Sequence, residues 1–85
     1  MKRNARTAMN QLKKMGVPML EEGCGSPNAH FSISGEMEDS YLWIDYYGEF
    51  RGGYPYINED LEKVLSKHGL FAEWENAAIV SVYDI

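Results

Sequence analysis

Cysteine, cations and long apolar runs are all scarce in this sequence, and each scarcity closes off a class of protein. The single cysteine, Cys24, cannot form an internal disulfide, so the chain is no disulfide-stapled secreted scaffold. No apolar run approaches the roughly 20 residues that span a bilayer. The basic start Met1-Lys2-Arg3-Asn4-Ala5-Arg6 has no apolar signal core behind it. A cytoplasmic protein with no membrane partner is the expectation. What remains is apolar enough to fold: 45% of the 85 residues are hydrophobic and 13% aromatic. That length suits one domain, 1–85, with a small core, since such a chain buries only about 60–65% of its unfolded surface.

Lysine and arginine number eight against 13 acids, a net charge of −5. Residues 1–14 carry Lys2, Arg3, Arg6, Lys13 and Lys14 and no acid, a balance of +5. Residues 15–85 carry three cations against all 13 acids, a balance of −10. The split fits a basic arm for an anionic partner, or a basic helix lying against the acidic body of its own molecule. The second is expected, because it needs no partner.

Hydrophobic spacing predicts an α+β fold in the order α-β-β-α-β-β, mostly antiparallel sheet packed against two helices. Ala5, Ala8, Met9, Leu12 and Met15 form one apolar stripe of a helix over 4–15, with Asn4 as N-cap and Gly16 as stop. Residues 16–28 read as a loop. Ala29, Phe31 and Ile33 alternate with polar residues in a first strand, and Tyr41–Tyr47 reads as a second. These two are expected to pair as a hairpin. Leu42, Ile44 and Tyr46 would face the core, and Tyr41, Trp43, Asp45 and Tyr47 the opposite side. Gly48–Ile57 is irregular yet aromatic. Asn58 caps a helix through His68 whose buried residues are Leu61, Val64 and Leu65, with Gly69 beyond its end. Leu70–Trp74, a turn at Asn76-Ala77 and the β-branched run Ala78–Tyr83 complete the chain.

No catalytic constellation stands out. Cys24 has no visible base beside it, His30 falls on a strand, and His68 at a helix C-terminus reads as a dipole-matched residue. Cys24 and His30 lack the further ligands a metal needs, and Glu36, Glu38 and Asp39 lack the ligand spacing of a calcium loop. Neither glycine cluster opens a lysine-bearing helix as a phosphate loop does. The expectation is therefore a protein that is not an enzyme, with no cofactor and no metal.

The aromatics carry the functional reading. Trp43, Tyr47, Arg51, Tyr54 and Tyr56 lie together in sequence on a strand face and the glycine-rich segment after it. Tryptophan, tyrosine and arginine dominate protein-binding hot spots, and aromatic faces can also stack bases. Core packing is the competing role for the same rings. The string Asp45-Tyr-Tyr-Gly-Glu-Phe-Arg-Gly-Gly-Tyr-Pro-Tyr-Ile57, followed by Leu61-Glu62, Lys67-His-Gly69 and Glu73-Trp-Glu-Asn76, resembles small uncharacterised proteins of bacteriophages and prophages. The likeness covers the C-terminal half and implies a mobile-element context with a host component as target. The leading expectation is a protein-binding module centred on Trp43, Tyr47, Arg51, Tyr54 and Tyr56. One alternative is an acidic nucleic-acid mimic that inhibits a host nucleic-acid-binding protein. Another is direct nucleic-acid binding through the basic first helix and exposed aromatics.

Overall fold

The computed structural model describes residues 1–21, 25–48 and 52–85. The fold is α+β, as the spacing predicts. Helix α1 (Arg3–Met15) and helix α2 (Glu59–Lys67) accompany five antiparallel strands: β1 (Phe31–Ser34), β2 (Ile44–Asp45), β3 (Tyr56–Ile57), β4 (Leu70–Asn76) and β5 (Ile79–Asp84). The strands form two sheets, one of order β1-β5-β4 and a second, two-stranded β2-β3.

The local signals for the helices hold, with one change of cap. Gly16 closes α1 at φ +98, a region that costs a side chain but not a glycine, and its N–H donates to the Lys13 carbonyl. The N-cap is Lys2 rather than Asn4. Asn4 lies inside the helix, where its Nδ2 donates to the His68 carbonyl at 2.8 Å and ties the start of α1 to the end of α2. Asn58 caps α2 as expected, its Oδ1 accepting from the amides of Asp60 and Leu61.

The hairpin between residues 29–34 and 41–47 does not form. β1 pairs with β5, Phe31 opposite Val82 and Ile33 opposite Val80. Its other edge is taken too: Met19 bridges Ile33, the Leu20 amide donates to the Ser32 carbonyl, and the Ser34 amide donates to the Pro18 carbonyl. With both edges occupied, β1 has no hydrogen bonds left for residues 41–47. The expected second strand is also broken from within. Asp39 sits at φ +65 and Ser40–Leu42 coils into a 3-10 turn, leaving only Ile44–Asp45 extended.

One sheet face carries Phe31, Ile33, Leu70, Val80 and Val82, all buried with Ala5, Ala8 and Leu12 of α1 and Leu61, Val64 and Leu65 of α2. Burial of these side chains is the main favourable term, at roughly 1.5–3 kcal/mol for each large one. The first strand was expected to expose one face, but all four of its residues are buried. On the reverse face, Ser32 and Ser81 stand opposite each other and their hydroxyls bond at 2.8 Å. Gly25 lies so close over Ser32 that a Cβ there would meet its side chain.

The buried serine pair predicts a specific mutational pattern. Ser32→Ala or Ser81→Ala alone leaves one hydroxyl unpaired and is expected to cost about 1–2 kcal/mol. The double change should cost clearly less than the sum, read by urea denaturation. Strictly additive costs would show that the hydroxyls do not depend on each other.

At the end of β5, Asp84 accepts from Lys2 Nζ at 2.7 Å and contacts His30 Nε2 at 3.0 Å. The Lys2 hydrogen bond first, and the His30 bond second, hold the Asp84 carboxyl below its ordinary pKa. The folded chain thus keeps Asp84 ionised to lower pH than the unfolded chain does. Its contribution is complete above the usual carboxylate range and is lost as pH falls through the lowered value. Asp84→Asn should therefore flatten the acid limb of stability measured from about pH 6 to about pH 3, an effect an unchanged limb would refute.

Candidate binding surface

Residues 35–57, excluded from the main sheet, build their own small layer and carry most of the expected site. Asn58 anchors that layer to α2: its Nδ2 donates to the Leu42 carbonyl at 3.1 Å and its amide to the Trp43 carbonyl at 2.7 Å. Ile44 is buried and pairs with Ile57, while Trp43 and Ile57 pack partly buried against the main core. The short layer is thus fastened by apolar contacts below and by one asparagine at its edge.

The turn after β2 holds the aromatic groups in place. Gly48 is buried at φ +62, and a Cβ on it would run into the backbone of Gly53 and Tyr54. The Gly53 amide donates to the Gly48 carbonyl at 2.9 Å. This close approach presses the Tyr54 backbone against the turn that presents Tyr46 and Tyr47. Tyr46 stands edge-on to Tyr47, with centroids 5.3 Å apart, and edge-on to Trp74 of β4, at 5.2 Å. Perpendicular packing of this kind is favoured by the ring quadrupoles and is worth about 0.5–1.5 kcal/mol beyond burial.

Of the four described residues expected at the site, Tyr47 and Tyr54 are the most exposed, at 73% and 75%. Tyr56 is half-buried in β3, opposite Asp45. Trp43 is not on an outer face; it is half-buried on the core, because the strand that would have turned it outward is only two residues long. Arg51 lies outside the described residues, as does Cys24. The same shortening reverses the expected core face: Ile44 is buried, but Leu42 and Tyr46 are exposed, at 47% and 39%. Sequence reasoning therefore missed Tyr46 and Trp74, the two rings that join Tyr47 to the core. The signal was available only as a tryptophan at the end of a strand, with nothing to tell which tyrosine it would meet.

Tyr41, Tyr46, Tyr47 and Trp74 line a hollow of about 310 Å³ with Asp45 and Glu36 at its rim. Glu36, Glu38 and Asp39 beside it are exposed. On the far side of Trp74, Glu75 accepts a hydrogen bond from the Tyr83 hydroxyl and thereby pushes that phenol above its ordinary pKa. His30 is engaged with Asp84, and His68 lies at the end of α2 with its buried Nε2 unpartnered among the described residues. Among the described residues no three histidine, cysteine or acidic side chains converge to hold a metal ion, and no helix is long and apolar enough to cross a membrane. Comparison with protein-family models, curated proteins and solved structures found no match. The geometry alone carries the functional argument.

Packing and display of the aromatics are separable by mutation. Trp43→Ala should cost about 2–3 kcal/mol, the lower range for a large ring because Trp43 is only partly buried. Tyr54→Ala should change stability by no more than about 0.5 kcal/mol, and Tyr47→Ala by about 0.5–1.5 kcal/mol through the lost edge-to-face contact with Tyr46. Thermal or urea unfolding measures all three, and a large loss in Tyr54→Ala would place that ring in the fold rather than on display.

Proposed function

We propose that this chain is a non-enzymatic binding module that docks a protein partner on the tyrosine surface formed by Tyr41, Tyr46, Tyr47 and Tyr54. The observation that carries this reading is the Tyr47–Tyr46–Trp74 edge-to-face stack, which packs against the core at Trp74 and ends in Tyr47, 73% exposed, with Tyr54 exposed on the neighbouring turn. A rigid ring with a polar tip gives large contact area at small entropic cost, which is why tyrosine and tryptophan dominate hot spots. The hollow beside the stack accepts an apolar side chain, and its acidic rim at Glu36 favours a basic neighbour on the partner. An extended segment bearing proline or aliphatic residues next to lysine or arginine matches both features. A phage or mobile-element origin would make that partner a host component.

Selection of a random displayed-peptide library on the full chain tests the reading. Enriched peptides should combine proline or aliphatic residues with a basic residue. The Tyr47→Ala/Tyr54→Ala double variant should bind them at least about tenfold more weakly, a loss of roughly 1.4 kcal/mol, while still unfolding in one cooperative transition well above the binding temperature. Peptides that bind the double variant equally well, or a selection that enriches nothing, would remove the proposal.

A further inference from the structure

A second surface lies away from the tyrosines, on the solvent side of α1. Arg3, Arg6, Lys13 and Lys14 are all exposed and, with Asn10 and Thr7, occupy one side of the helix opposite Ala5, Ala8 and Leu12. The helix contains no acid. The expected neutralisation by the acidic body is confined to its start: Lys2 pairs with Asp84, whereas Arg3, Arg6, Lys13 and Lys14 have no ion pair among the described residues. Asp84, the carboxylate at this end of the molecule, is already engaged by Lys2 and His30.

From this arrangement we infer that the outer face of α1 binds the phosphate backbone of a nucleic-acid duplex. Arg3 to Lys14 spans about 16 Å at 1.5 Å per residue. A duplex presents one charge per about 1.7 Å of axis, so four cations over that length can each reach a phosphate. The helix is pinned to the core by its apolar side, which keeps the cations on the solvent side and leaves no apolar face to enter a lipid surface. A groove of about 980 Å³ lies along the Arg6–Met9–Lys13 side, with Glu21 also in its lining. The rest of the chain, at −10 beyond residue 14, repels the same polyanion. That repulsion weakens binding but restricts it to one orientation, with α1 facing the duplex.

Fluorescence anisotropy of the full chain with a labelled DNA duplex of arbitrary sequence reads the interaction. At about 20 mM salt the expected Kd is about 10–100 µM, and log K should fall with log salt at a slope of about −3 to −4. Arg6→Gln and Lys13→Gln should each weaken binding and make the slope shallower by about 1. Lys63→Gln, on α2, should change neither. Three results would overturn the assignment: no binding at about 1 mM protein, slopes indifferent to Arg6 and Lys13, or polyglutamate or anionic vesicles capturing the chain more tightly than the duplex at equal charge.

Discussion

The pairing of β1 with β5 is the constraint on which the rest of the molecule depends. It joins Phe31 to Val82 and Ile33 to Val80, residues far apart in sequence, and it puts the last strand at the centre of the main sheet. Such a contact is entropically expensive to close and is repaid by burial. Here both faces of β1 are buried, so the pairing removes apolar residues from water on one side and forms the Ser32–Ser81 bond on the other. Once β5 holds one edge of β1 and residues 18–20 hold the other, the chain between β1 and α2 cannot pair with β1.

That exclusion explains the aromatic surface. The segment would form the expected hairpin with β1, its neighbour in sequence, if that edge were open to it. Instead it forms a two-stranded layer too small to cover its own side chains. Ile44, Ile57 and Trp43 take the contact with the core, and Tyr47 and Tyr54 are left outside. Asn58 turns this arrangement into a fixed one, since the residue that caps α2 also donates to the Leu42 and Trp43 carbonyls of the layer. The tyrosines are therefore exposed on a supported base, a combination suited to recognition.

Charge is segregated in the same molecule. Lys2, His30 and Asp84 clasp the chain's first helix to its last strand, and beyond that clasp the cations of α1 face solvent. The acidic turn at Glu36–Asp39 flanks the tyrosine layer. Two surfaces of opposite sign suit two partners of different chemistry, and electrostatics would sort them at the encounter stage.

The amino-acid sequence by itself determined what depends on near neighbours. Both helices, the Asn58 cap, the Gly16 stop and the β4–β5 turn follow from apolar spacing and capping chemistry within a few residues. The exposure of Tyr47 and Tyr54 was not legible, because core packing and display call for the same aromatic residues. The partner of β1 was not legible, since adjacent strands and distant ones offer the same alternating pattern and only their competition for an edge decides between them. Trp43, Leu42 and Tyr46 changed sides for that reason: strand parity assigns faces only if the strand exists, and the αL turn at Asp39 with the loss of β1 as partner cut it to two residues. The exposure of the α1 cations was likewise a tertiary decision, set by which acids the fold carried to the helix and which it carried away.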